Sequence, residues 1–209
     1  PGTNLMVIGL NTVIFSAQFG AIEKSAVDAE LAWLDSRLAS ARAAGKKVWL
    51  LMHIPPGADI YSTAQKVDTG GHIATASMMW NQDYQARFLK ILSRYPGITA
   101  LTLAAHTHMD EYRILSPSNV LEITPAVSPI FGNNPAFKVF AFAKDTLRPI
   151  DYRTLNYDLA TTPEQFDSYY TFSAAYSTQG LLDRSLAELF PTLATNNTKQ
   201  AQYRGHYFS

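Results

Sequence analysis

The 209 residues carry 17 basic and 17 acidic side chains, a formal net charge of zero, with 47% hydrophobic and 16% charged residues, the balance of an ordinary globular chain that buries a core. No Lys/Arg run exceeds the pair Lys46 and Lys47, so no charge footprint for a nucleic-acid polymer is present, and the longest apolar runs, Leu5–Leu10 and residues 48–52, fall far short of the roughly 20 residues that cross a bilayer. With no cysteine there is neither a disulfide framework nor a thiolate metal site, and any metal must be held by His, Asp, Glu or Asn.

Pro1 and Gly2 run almost directly into an apolar stretch without a charged start or a cleavage pattern. A start of this kind is expected of a chain whose upstream part has been removed; a natural N-terminal strand is the alternative. Leu5–Leu10 is a short apolar run that reads as a strand buried on both faces. A helix follows, in which Val27, Leu31, Leu34, Leu38 and Ala41 recur at three- and four-residue spacings. Ser25 is its expected N-cap, with Asp28 three residues on, and Gly45 its end. Residues 47–52 form the next strand, and strand, helix, strand in this order predict a parallel βαβ unit.

After an irregular stretch, residues 80–94 read as a helix with Tyr84, Phe88, Leu89 and Leu92 on one face, stopped by Pro96 and Gly97. Residues 98–104 are a further buried strand. Residues 112–115, 119–124 and 137–143 read as strands joined at Ser116-Pro117 and at 132–135. Such short connections exclude a crossover helix, so the sheet is expected to become mixed. From Pro163 onward, Phe166, Tyr169, Tyr170 and Phe172, then Leu181, Leu182, Leu186 and Leu189, suggest two or three helices in a C-terminal extension.

Three of the five histidines fall directly after predicted parallel strands: His53, then His106 and His108. In open α/β sheets ligands bind outside the carboxyl ends of such strands, so these imidazoles are candidates to converge. Pro55 and Pro56 stiffen the loop behind His53. The His106-Thr107-His108 pair can aim two rings at adjacent points, as two metals about 3.5–4 Å apart require. A lone histidine after a strand is more often structural; two strand ends supplying them together point to a metal.

Other residues read less sharply. Asp110 and Glu111 either orient the imidazoles from behind or sit in a solvated turn, and the turn is the favoured reading. Asn133, Asn134 and Pro135 need no role beyond a turn, and His72 and His206 have no partner spacing. Tyr61, Trp80 and Tyr84 suit a substrate groove or, as favoured, the core. Asn196-Asn197-Thr198 matches a glycosylation acceptor, against which the lack of cysteine argues.

The segments LAWLDSRLASARAAGKKVWLLMHIPPG, AAHTHMDEYRIL and ITPAVSPIFGNNPAFKVFAF, in this order within residues 4–157, resemble the C-terminal blocks of acid sphingomyelinase-like phosphodiesterases in the calcineurin-like metallophosphoesterase superfamily. The resemblance is weaker beyond residue 157. It implies an α/β fold, the C-terminal half of a four-layer α/β/β/α sandwich with mixed sheets over residues 1–157, and a helical C-terminal extension over 158–209. It further implies two divalent metal ions, zinc in this branch. His53 and His106 would ligate one and His108 the other, with Asp110 a candidate behind them. The substrate would be a phosphodiester, phospholipid or nucleotide, attacked by a metal-activated water.

Ala105 stands where the family has Gly, which bears on the local backbone. The family's Asp-x-His, Gly-Asp and Gly-Asn-His blocks lie upstream of the first strand and are not found here. The bridging carboxylate, the Asn ligand and the leaving-group His are therefore expected outside this chain, in cis or on another chain, and the isolated chain is expected to be inactive. The resemblance implies a secreted, periplasmic or lysosome-like location. The alternatives are a non-catalytic protein that retains the fold for binding, and a mononuclear three-His zinc hydrolase.

Overall fold

The structure, a computed structural model, describes residues 4–18, 24–116, 119–161 and 165–208; Pro1, Gly2, Pro117 and Pro163 lie outside them. Strands β1 (Leu5–Leu10), β2 (Lys47–Met52), β3 (Thr99–Ala104), β4 (Glu111–Ser116) and β5 (Asn119–Ile123) form one sheet in the order β1-β2-β3-β5-β4. The first three and β5 run parallel, and β4 is antiparallel to β5. The mixed sheet expected from the short connections is therefore present.

Helix α1 (Lys24–Ala43) buries Val27, Leu31, Leu34, Leu38 and Ala41, the stripe its periodicity predicts. Ser25 lies inside the helix rather than capping it, and Gly45 leaves it at φ +62°, a left-handed turn that glycine adopts without a Cβ penalty. The short α2 (Ile60–Ala64) interrupts the irregular stretch. Helix α3 (Gln82–Ser93) starts later than expected because the Asn81 side chain caps it, accepting from Asp83 N; Trp80 ahead of it is fully buried. Helices α1 and α3 share one core with Ile8, Leu10, Val48, Leu50 and Met52 of the sheet.

Only one face of β1 is buried, contrary to the two expected. Val7, on the opposite face, is 56% exposed, because the helices cover the Ile8 and Leu10 side and nothing described covers the other at this edge. On that second face Trp49 of β2 stacks on Phe142, ring centroids 4.7 Å apart, and its Nε1 donates to Leu147 O.

Phe142 belongs to β6 (Ala136–Phe142), which does not extend the first sheet. It pairs with β7 (Pro149–Asn156), a strand unmarked in the sequence reading, and β7 pairs with β8 (Asp167–Thr171) in a separate antiparallel sheet. Residues 167–171 are therefore a strand and not the start of a helix, in keeping with the β preference of Tyr169, Tyr170 and Thr171. Helices α4 (Phe172–Tyr176), α5 (Leu182–Thr192) and α6 (Asn197–Tyr207) follow, so the C-terminal region is only partly helical.

Val120 of β5, Tyr152 of β7, Phe172, Tyr176, Leu182, Leu186 and Leu189 form a second core. The segment after residue 157 thus packs on both sheets, and its strand completes one of them. Between the sheets the Lys138 side chain is fully buried, its Nζ 2.8 Å from both Asp110 Oδ1 and Glu122 Oε2 and 4.2 Å from the Tyr152 ring centroid.

Candidate metal centre

The loop leaving β2 is held by hydrogen bonds to residues distant in the chain, among them Met79 N donating to Gly57 O at 2.9 Å. Ile54 N donates to Thr12 Oγ1 at 2.8 Å, the Trp80 indole donates to Ile54 O at 3.0 Å, and Gly57 N donates to Gln85 Oε1 at 2.7 Å. His53 O accepts from Ala105 N at 3.0 Å, which fastens this loop to the one leaving β3. Sequence reasoning identified the stiff prolines but not Thr12 or Gln85, whose partners are distant in the chain.

Ala105 itself is not in the left-handed region. The residues that are, His106 at φ 75° and His108 at φ 67°, carry the candidate ligands. The alanine therefore costs nothing locally. Non-glycine residues held in this region store about 1–3 kcal/mol each and persist where their surroundings over-determine them, which marks this turn as a functional candidate.

His106 Nδ1 lies 3.2 Å from His53 Nε2, the rings edge to face with centroids 5.0 Å apart. Two imidazole nitrogens each about 2.0–2.1 Å from one tetrahedral zinc would be about 3.3–3.4 Å apart. The observed separation is close to that span and is equally that of a hydrogen bond between the two rings. Partial desolvation of a ring that still reaches solvent, then the neighbouring His53, hold the His106 imidazole below its ordinary pKa, favouring the neutral form that ligates metals.

His108 sits on the same turn, with its carbonyl accepting from Ala126 N and its ring 4.9 Å from that of Phe131. Its Nδ1 is buried with no hydrogen-bond partner. Among the described residues no group of three or more His, Cys, Asp or Glu comes together as a metal cluster. The structure thus brings His53 and His106 together and leaves His108 beside them on the same turn.

Asp110 and Glu111 are each only 4% exposed, so the favoured solvated turn is wrong for both. The second sheet covers Asp110, while Glu111 faces the other side of β4, where Ile123 and Leu121 belong to the helix-side core. Asp110 does not reach an imidazole: it accepts from Lys138, from Thr154 Oγ1 at 3.0 Å and from Tyr170 OH at 2.7 Å. Glu111 pairs with Arg113 at 3.0 Å, and the Arg113 side chain lies against Gly57 of the His53 loop. Burial raises the Glu111 carboxyl, opposed by Arg113.

The remaining candidates are structural or exposed. His72 pairs with Asp68 on the surface, and His206 stacks on Tyr170. Tyr61 is 75% exposed rather than in the core, whereas Trp80 is in the core and Tyr84 packs against it. Asn133 Nδ2 donates to Ser128 O and Asn134 O, as a turn residue does. The Asn196 side chain is engaged as the cap of α6, accepting from Lys199 N.

Two histidines paired across parallel-strand ends, one of them on a left-handed turn, define a candidate metal-binding α/β protein. Its curated relatives are acid sphingomyelinase-like phosphodiesterases. Cyclic GMP-AMP phosphodiesterase SMPDL3A of Rattus norvegicus is 28% identical over 226 residues, 98% of this chain and 47% of that protein. Sphingomyelinase phosphodiesterase D of Dictyostelium discoideum is 28% identical over 153 residues, 68% of this chain and 32% of that protein. Acid sphingomyelinase-like phosphodiesterase 3b of Homo sapiens is 24% identical over 189 residues, 82% and 39% respectively. The chain spans about half the length of the SMPDL3A proteins it matches. No protein-family model matches it.

Proposed function

We propose that this chain is the histidine-bearing part of a metal-dependent phosphodiester hydrolase of the sphingomyelinase-like kind. The observation that carries the reading is the 3.2 Å approach of His53 Nε2 and His106 Nδ1, delivered by two neighbouring parallel strands. In this reading His53 and His106 hold one divalent ion, zinc first, and His108 holds a second. When bound, such ions supply Lewis-acid polarisation of a phosphodiester and a lowered pKa for water. The chain's own contribution is to present the imidazoles on loops fastened to each other and to the core.

On this proposal the two sheets form the inner layers of an α/β/β/α sandwich, of which this chain is the C-terminal half. The carboxylate and Asn ligands come from sequence outside it. Imidazoles alone leave the charge of two divalent cations uncompensated, and the described residues add no third ligand to the pair. The substrate is a phosphodiester of a phospholipid or nucleotide, the two chemistries named by the relatives.

Bis-p-nitrophenyl phosphate hydrolysis with added zinc tests this. A protein that includes the upstream sequence is expected to turn over more than about a hundredfold faster than the isolated chain, since losing ligands outright should exceed the 10–100-fold cost of losing their outer partners. Equal rates overturn the dependence on outside residues. Metal-loaded full-length protein with no activity favours instead a fold retained for binding, a reading that the missing third ligand also suits.

A further inference from the structure

The sharp left-handed turn that carries His106 and His108 needs something to hold it, and the structure shows a closed ring of contacts that begins and ends at Asp110. Its backbone N donates to Tyr207 O at 3.0 Å, at the end of α6. Its carboxylate accepts from Lys138 of β6, Thr154 of β7 and Tyr170 of β8. The Tyr170 ring lies flat on His206, centroids 3.8 Å apart and planes 2° apart, and His206 adjoins Tyr207. His206 is fixed in turn, its Nδ1 2.9 Å from Tyr176 OH, and Tyr169 OH donates to Gly205 O at 3.0 Å.

One unit, the second sheet with the chain's last helix, therefore grips the loop by both backbone and side chain. Lys138 also meets Glu122 on β5, whose neighbour β3 launches the loop, so the grip and the launching strand cannot shift independently. The same terminal segment reaches the next loop, where Asn134 N donates to Phe208 O at 3.0 Å.

We propose that Asp110 is the positioning residue of the His106–His108 turn, acting through the second sheet and α6, so that the C-terminal segment is part of the metal centre's framework. The role toward a metal rests on the hydrolase reading; the role toward the turn does not. Asp110 touches neither imidazole. It makes the strained backbone the lowest state available, which keeps both rings aimed before any ion arrives, as outer partners of metal ligands do elsewhere.

The test uses the whole chain, first without metal. Backbone shifts and three-bond HN–Hα couplings report the left-handed conformation at His106 and His108. Asp110→Ala is expected to lose both signatures, and Tyr170→Phe, which keeps the ring stack and removes the hydroxyl's contacts to Asp110 and Tyr152, to weaken them with the fold intact. Cobalt(II) titration then reads the consequence: affinity lower by about 10–100-fold in Asp110→Ala, about two- to threefold in Tyr170→Phe, with partial recovery in Asp110→Asn, and an altered visible spectrum. Unchanged couplings at both histidines in the folded variants overturn the proposal, as does unchanged cobalt affinity beside a lowered melting temperature, which would make Asp110 merely structural. If Asp110→Ala does not fold, Tyr170→Phe decides in the same way. Wild-type protein that binds no cobalt sinks the hydrolase reading, and the metal-free couplings still decide the role of Asp110.

Discussion

Lys138→Met is expected to destabilise the fold by about 3–5 kcal/mol, because it leaves Asp110 and Glu122 buried without their counter-charge. For a chain of this size that is a fall in melting temperature of order 10 °C. Burial pulls the Lys138 ammonium down, but Asp110 and Glu122 together overcome it and hold it above the ordinary lysine value. A group raised in this way contributes stability that is fully present below the ordinary lysine range and is lost as pH rises through its native value. Glu122 works in the other sense: burial raises its carboxyl against the pull of Lys138, so its ionisation opposes folding at neutral pH. In the variant the Glu122 carboxyl can relieve itself by taking up a proton. The loss should accordingly shrink as pH falls from 7 to 5, measured by urea or thermal melts against the parent. A variant as stable as the parent at neutral pH, or a deficit that deepens on acidification, would show that the triad is not the clamp between the sheets.

His106→Gly separates binding from folding by moving them in opposite directions. The imidazole is exposed and sits at φ 75°. Relief of the left-handed conformation is worth about 1–2 kcal/mol, offset by about 0.5–1 kcal/mol for the freedom glycine adds to the unfolded chain. The net expectation is unchanged or slightly raised stability. Zinc affinity, read by competition with a chromophoric chelator, should fall by more than the 10–100-fold that losing an outer partner costs. His53→Ala should lose affinity similarly without the gain in stability. Retained affinity in either variant removes that histidine from the centre, and a glycine variant destabilised by more than about 1 kcal/mol shows that the turn is not strained.

Much of the first sheet was legible because its signals are local. The stripe Val27, Leu31, Leu34, Leu38 and Ala41 predicts α1 and its buried face, and the apolar runs predict β1, β2 and β3 to within a residue. The second sheet was not. Strand β7 opens on Pro149 and mixes Asp151, Arg153 and Thr154 into its length, so it shows no clean alternation, while Tyr169 and Tyr170 of β8 fit a helix face as well as a strand. Lys138 offered a signal that went unused: a lone charge on the same strand face as Phe140 and Phe142 needs a buried partner.

What the amino-acid order determined alone is which side chains are delivered to the carboxyl ends of neighbouring parallel strands, His53 from one and His106 and His108 from the other, since period and crossover length are read over a few turns of chain. The tertiary structure alone decided that Asp110 and Glu111 are buried, that His106 and His108 take left-handed backbone, and that the last helix closes on their loop. Those outcomes depend on contacts between residues dozens of positions apart, such as Asp110 with Tyr170 and Tyr207, and no local pattern encodes them.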